Sequence, residues 1–409
     1  LQTLTAANPL PRKHARRLLV YTEDPPVHRN VVAHGLLRAG PPILRSIRDH
    51  IDSIAIYPVR ARFKDCDLDP ELLPLCSTLP LLPTLACKAL RRLPLLGVPL
   101  SNALPPRMLA SRFKSSSADI LFSPIGADYS MLIRAARFAA LTQKSHAFYL
   151  VDDFLAALEI SGAPASALVQ AETDAAQALR GARHIFTITS GLGESVRARY
   201  GVSATTLPLA FEPAPRPVGP VQRQIIYVGS INFLYAEGMR HLIRLMDKLR
   251  QNDAADLKLR LTVSPEVAAK AFGALPPFVL SSPVATSDGL AQEIASSLFA
   301  FLPYSFSSRE KNMVTTSFPS KSMEYLAYAR SIVVYGPDYG VATRLFRDMQ
   351  LPTVASSLEE LEDTLRLHLS SPPDHSFAYR RYLTEFHSLS AIRKTICTAL
   401  GLDPGGQRP

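Results

Sequence analysis

The chain has 409 residues, 47% of them hydrophobic and 20% charged. That is too apolar for a disordered or fibrous protein and too long for one ordinary core, so two α/β domains of about 150 to 200 residues each are expected. The net charge is +10, and residues 1–120 carry most of it, with 17 Lys/Arg against 9 Asp/Glu. A surface of that kind favours an anionic partner. The basic residues lack the aromatic interleaving of a nucleic-acid binder, so no nucleic acid is expected.

No run of eighteen charge-free apolar residues is present, and the N-terminus has no apolar leader with a cleavage site. The expectation is a cytoplasmic chain with no spanning helix. Cys66, Cys76, Cys87 and Cys397 form no C-x-x-C pair and no metal-ligand spacing, which suits reduced thiols and no metal.

From the N-terminus, residues 17–22 (RLLVYT) predict a strand, followed by a two-proline loop and a helix-like VVAHGLLRAG. The runs at 53–59, 119–123, 147–151 and 183–189 are similar strands, each separated by helical or irregular sequence. Such alternation predicts a parallel sheet covered by helices. Residues 72–106 are crowded with Leu and Pro, and their only charges are Lys88, Arg91 and Arg92, with Arg107 just beyond. Frequent proline rules out a spanning helix there. A piece around 84–92 suits either a water–lipid interface or a cover over the first sheet's edge.

Five prolines between residues 205 and 220 cannot continue a helix or a central strand, and the interdomain linker is placed at 213–220. The first domain is then 1–212 and the second 221–375. The pattern restarts with QIIYVGS at 224–230, a helix at about 236–251, strands at 257–263 and near 278–281, and a helix at 288–297. Strand 298–303, a helix opened at Ser320 and strand 331–335 complete a second unit on the same plan. A helical stretch at about 377–400 within residues 376–409 is amphipathic enough to pack across a surface, and 402–409 reads as a tail.

Chemistry concentrates between Leu298 and Asp338. A strand ends at Pro303-Tyr304, a polar loop of about fifteen residues follows, and a helix opens beside Ser317, Ser320 and Lys321. In an α/β sheet such a loop lies at the carboxyl edge, where unpaired N–H groups suit phosphate. Asp152 and Asp153, after another strand, could accept or position a substrate proton. Capping of the helix FLAALEI accounts for one of them but not for both. The histidines, His28, His34 and His146 among them, are scattered and read as structural or surface groups.

Pro319-Ser320-Lys321-Ser322-Met323-Glu324-Tyr325-Leu326-Ala327, with the Ile332-Val333-Val334 strand after it, resembles the donor domain of GT-B glycosyltransferases. The likeness is to the bacterial group with a Pro-x-Lys-x-x-Glu-Tyr-Leu-Ala signature. Tyr227-Val228-Gly229-Ser230 resembles that domain's first strand and glycine turn. Glu172–Tyr200 and Tyr149–Asp153 resemble parts of its first domain, whereas residues 1–118 match poorly.

The resemblance implies two doubly wound Rossmann-like domains facing across a cleft, with the C-terminal helix crossing back to the first domain. It implies a nucleotide diphosphate sugar as donor substrate, no further cofactor, a glycan or lipid-linked acceptor, and retaining, metal-independent transfer. Donor contacts fall on Gly229, Ser230, Arg309, Lys311, Ser317, Ser320, Lys321 and Glu324, with Glu324 on the ribose and Lys321 on phosphate. Asp152, Asp153 and Lys321 become the catalytic candidates.

The sequence also departs from the family pattern. Ser230 and Glu237 stand where many retaining members have Arg and Lys, and Thr316 stands eight residues before Glu324 in place of a glutamate. Ala329 and Ser331 replace a usual glycine and proline, which predicts strain at Ala329 if its φ is positive. A degenerate nucleotide-sugar-binding scaffold stays open on these grounds. A dinucleotide oxidoreductase does not fit, because G-x-G-x-x-G follows neither first strand.

Overall fold

The computed structural model describes residues 17–22, 36–56, 69–78, 110, 113, 116–252 and 254–402. The interfacial piece at 84–92 with Lys88, Arg91, Arg92 and Arg107, together with His28, His34, Cys66 and Cys87, lies outside these residues. Of the described cysteines, Cys76 is half-buried and Cys397 buried, both unbridged.

The first sheet contains β1 (Leu18–Thr22), β2 (Ile51–Ile56), β3 (Cys76–Thr78), β4 (Ile120–Ile125), β5 (Ser145–Leu150), β6 (His184–Thr187) and β7 (Thr205–Thr206). All pair in parallel, in the order β3-β2-β1-β4-β5-β6-β7. Its helices are α1 (Leu36–Ser46), α2 (Tyr129–Thr142), α3 (Phe154–Ile160), α4 (Ala165–Arg180) and α5 (Ser190–Tyr200). Every residue of β1 and β4 is buried. Central parallel strands covered on both faces require such continuous apolar runs rather than alternation.

After residues 207–221, which carry no helix or strand, the second sheet begins with β8 (Gln222–Tyr227). It continues through α6 (Phe233–Asn252), β9 (Lys258–Leu261), α7 (Pro265–Phe272), β10 (Val279–Ser281), α8 (Ser287–Ala295) and β11 (Ser297–Pro303). Then come α9 (Lys311–Thr316), α10 (Ser322–Tyr328), β12 (Ile332–Tyr335), α11 (Val341–Asp348), β13 (Val354–Ala355) and α12 (Leu358–Leu369). The strand order is β10-β9-β8-β11-β12-β13, again parallel throughout. The order reverses between β1 and β4 in one sheet and between β8 and β11 in the other. Ligands of open α/β sheets bind beyond the carboxyl ends of strands at such a reversal.

Several local expectations change. The loop after β11 is not irregular throughout: a 3-10 turn at Ser308–Glu310 runs into α9, started by Ser307 Oγ accepting from the Arg309 N–H. The next helix opens at Ser322 rather than Ser320, because Pro319 and Ser320 form turns with Ser322 and Met323 first. Ala329 has φ −71°, so the strain foreseen there is absent. The final helical stretch divides into α13 (Ser376–Tyr382), a π-helical turn at Leu383–His387 and α14 (Leu389–Leu400). Ser388, extended at ψ 150°, breaks the run and caps α14 through the Ala391 N–H. α14 packs back on α1, and Arg393 lies 3.2 Å from Asp49 in the turn just after that helix. Among the described residues no helix is long and apolar enough to cross a membrane.

Candidate functional site

The site grows from the end of β8. Gly229 follows the buried strand with φ +92°, a left-handed conformation that glycine adopts without cost. Its N–H donates to Thr262 Oγ1 at 3.2 Å, which ties the turn to the end of neighbouring β9. A Cβ on Gly229 would lie 3.8 Å from Lys321 Cε and 4.0 Å from Nζ, so bare backbone faces the lysine. Ser230 is exposed, and its carbonyl accepts the Tyr227 hydroxyl at 2.6 Å.

Lys321 is buried, and its ammonium sits among tyrosines. Nζ donates to Tyr227 Oη at 2.6 Å and lies 4.0 Å from that ring's centroid and 3.6 Å from that of Tyr235. Ring quadrupoles and a phenol oxygen thus hold a desolvated cation against the glycine turn. Burial pushes the Tyr227 and Tyr235 phenols above their ordinary range, so both stay neutral.

Tyr325, one residue after Glu324, explains part of the signature. Its hydroxyl accepts the Val228 N–H at 2.8 Å and donates to Phe301 O at 3.2 Å, binding α10 to both strands at the reversal. Glu324 is buried on the same short helix. Ser317 is buried and Ser320 half-buried, and the Ser317 carbonyl accepts the Tyr304 hydroxyl at 2.6 Å, which closes the loop onto β11.

The two aspartates separate. Asp153 caps α3, Oδ1 accepting the Ala156 N–H at 3.0 Å. Asp152 points elsewhere: the Ser317 hydroxyl of the second domain lies within hydrogen-bonding reach of its carboxylate, and of Met313 Sδ at 2.9 Å. Burial, and then the charge of Asp153, push the Asp152 carboxyl up to about 6, and the Ser317 hydrogen bond opposes them. Burial raises Asp153 as well, against its bond to Ala156 and the charge of Arg199. His146 is half-buried beside the Ala178 carbonyl at 3.5 Å, away from these groups in the chain's architecture.

Arg309 and Lys311 are not gathered with Lys321. The Arg309 guanidinium donates to Ile160 O at the end of α3 at 2.6 Å, and Lys311 Nζ lies 5.2 Å from the Tyr339 ring centroid. Glu237 accepts the Phe306 N–H at 3.1 Å and the Ser305 hydroxyl at 3.4 Å, so it anchors the loop after β11.

Sequence reasoning missed two sets of residues. The Tyr227–Tyr235 pair comes from separate elements whose spacing gives no sign of a shared lysine. The second set joins the domains through α9: Thr189 Oγ1 donates to Thr316 O at 2.5 Å, and Asn312 Nδ2 donates to Glu159 at 3.3 Å. A Cβ on Gly191 would fall 2.5 Å from Thr315 O, so that contact requires glycine. Since α9 leads directly into Ser317 and Lys321, the domain contact and the site share one segment.

No family model and no curated protein matches the sequence. Solved structures do. A sucrose-phosphate synthase from Thermosynechococcus elongatus is 12% identical, with 94% of this chain and 98% of that one covered at a TM-score of 0.66. An α,α-trehalose-phosphate synthase (UDP-forming) from Burkholderia xenovorans, in complex with glucose-6-phosphate, is 12% identical over 94% of this chain and 100% of that one, at 0.63. An E. coli trehalose-6-phosphate structure bound with UDP-2-fluoro glucose is also 12% identical, covering 94% and 98% of the two chains at 0.58. The likeness is one of architecture over nearly the whole chain: two doubly wound α/β domains in the GT-B arrangement.

Proposed function

We propose that this protein is a glycosyltransferase that moves a sugar from a nucleotide diphosphate donor to an acceptor. The observation that carries the reading is Lys321. Its buried ammonium is pinned beside the bare backbone of Gly229, at the point where the second sheet's strand order reverses. A fixed cation beside a glycine turn that ends at the exposed Ser230 suits a diphosphate, whose negative charge grows as the sugar departs. One solved structure with this architecture is named as UDP-forming and another as bound with UDP-2-fluoro glucose, which supports the same chemistry.

In this reading the diphosphate lies against Gly229 and Ser230, with Ser317, Ser320 and Lys321 around it. Glu324 takes the ribose hydroxyls, since a carboxylate accepts two vicinal donors well. α10 has only seven residues, so the charge stabilisation falls on Lys321 more than on the helix dipole. With that cation in place the transfer is proposed to run without a metal. Asp152 stands on the acceptor side, where its raised carboxyl can orient the acceptor hydroxyl or receive its proton. The bond from anomeric carbon to diphosphate oxygen breaks, the acceptor oxygen takes its place, and the acceptor proton passes to Asp152 or the departing phosphate. Retention is proposed from the family resemblance. A hexose, and a glycan or lipid-linked acceptor of cell-surface polysaccharide or glycolipid synthesis, follow from the same source. Approach to an anionic membrane face through residues 72–114 would suit that acceptor.

Incubation of purified protein with UDP-, GDP- and ADP-sugars and saccharide acceptors, read as release of nucleoside diphosphate, tests the proposal. Turnover that disappears in Lys321→Ala supports it. Nucleotide binding without turnover on any donor would favour the scaffold reading that Ser230 and Glu237 suggest.

A further inference from the structure

Away from this site, three chain segments converge behind the second sheet. The linker is tied down where the Ala214 N–H donates to Tyr328 Oη at 3.0 Å. Arg330, two residues beyond that tyrosine, accepts at its carbonyl the His375 N–H at 2.8 Å, which brings in the start of α13. The Tyr379 hydroxyl accepts the Ile332 N–H at 3.1 Å and fixes α13 against β12.

The charges at this junction do not balance. Asp374 is the carboxylate that acts on Arg216, and Arg330 and Arg380 both act on it with the opposite effect. Arg330 Nε lies 4.0 Å from Asp374 Oδ2, beyond hydrogen-bonding distance, while Oδ1 is committed to the Ser376 N–H at 3.0 Å. The Arg330 side chain is 43% exposed, but its Nε is shielded from solvent and makes no hydrogen bond, and the same holds for His375 Nε2 in the same cluster. Arg216 is held below the ordinary guanidinium range, first by burial and then by its two arginine neighbours, with Asp374 opposing. A shielded guanidinium N–H without an acceptor is costly, and a polyatomic anion would satisfy it while offsetting the like charges.

We propose that Arg216, Arg330 and Arg380 form a second anion site, for a phosphate-bearing ligand, at the junction of the interdomain linker and α13. Guanidinium forks match phosphate oxygens in pairs, which single lysines do not. On the same two segments, Phe377 is 78% exposed and Val218 98% exposed. A phospholipid headgroup and a free phosphate compound share this chemistry. The site sits on the segment that joins the two domains, so its ligand bears on how the linker is held.

The test uses the full chain in two arms: calorimetric titration with inorganic phosphate, and sedimentation with phosphatidylglycerol vesicles against phosphatidylcholine vesicles. Each arm compares wild type with Arg330→Gln and with the exposed Arg380→Gln. The phosphate arm is repeated in Lys321→Met, which removes the proposed donor site and leaves this one. The expected result is binding in at least one arm that weakens about tenfold or more in both arginine variants, persists in Lys321→Met, and leaves nucleotide diphosphate affinity unchanged. Phosphate binding in solution identifies a free phosphate ligand, and binding to the anionic vesicles alone identifies the headgroup. No binding in either arm, or binding equal in wild type and both arginine variants, overturns the proposal. So does an equal loss of nucleotide binding, which would place these arginines in the donor site.

Discussion

Replacing Lys321 by methionine keeps the length of the stem and removes the ammonium with its hydrogen bonds, which separates its effect from the loss of packing that alanine would add. In the folded protein the ammonium contacts Tyr227 Oη at 2.6 Å and the Tyr235 ring at 3.6 Å from its centroid. Those contacts offset the cost of burying a cation, and a methionine among the same rings forgoes both the gain and the cost. Folding stability should therefore move by less than about 1 kcal/mol. Donor binding has no such offset, because a phosphate oxygen loses a charge-assisted hydrogen bond worth about 1.5–3 kcal/mol. Nucleotide diphosphate affinity should fall by about 10- to 150-fold on that basis. Calorimetry with the cognate nucleotide and urea unfolding of the same preparation give the two numbers. A variant that unfolds earlier by several kcal/mol yet binds nucleotide as before would show that Lys321 is structural.

Asp152→Asn should slow transfer far more than it weakens donor binding, and the wild-type rate should fall as pH drops through about 6, a limb absent in the variant. Linkage gives the stability sign: the native Asp152 carboxyl holds its proton up to about 6 against 3.8 for an ordinary aspartate, so the folded state binds more protons in that window. Stability should then decrease as pH rises from about 4 to 6, less so in Asp152→Asn, as chemical unfolding across pH will show. Gly191→Ala pushes a Cβ to 2.5 Å from Thr315 O and should cost about 1–3 kcal/mol, with turnover falling more than nucleotide affinity because the domain contact is spoiled. Equal turnover in that variant would mean that the α9 contact plays no part in catalysis. Glu237→Ala strands the Phe306 N–H and should lower stability by about 1–3 kcal/mol in urea melts, marking Glu237 as a loop anchor rather than a lost phosphate ligand.

Much of the architecture was legible because its causes are local. Runs such as LLVYT and SLFAFLP are mostly apolar and are buried at every position, as strands covered on both faces are, and proline at 213, 215, 217 and 220 interrupts both helix and ladder. Asp153 could be read as a cap from the apolar helix after it, which left Asp152 to be explained, and the structure turns that carboxylate towards Ser317. Other features depend on partners distant in sequence. Nothing in KNMVTT announces a helix, and α9 is held by Thr189, Glu159 and α3, more than 120 residues away. Arg309 looked like a phosphate ligand beside Lys321, but the carbonyl of Ile160 takes its guanidinium. Side chains from β8 and α6 close on Lys321 only once the sheet exists, so Tyr227 and Tyr235 left no periodic trace.

The donor site at the β8 turn and α10 is tested most directly by a thermal-shift screen against UDP, GDP, ADP and CMP. A ligand that binds only the folded state raises Tm, by about 2.7 kcal/mol of stabilisation at a hundredfold excess over Kd. One nucleotide should stabilise the wild type, and Glu324→Ala and Lys321→Ala should each lose most of that shift while unfolding normally without ligand. A screen in which no nucleotide moves Tm, or a shift that survives both substitutions, would contradict the assignment of the donor to this site.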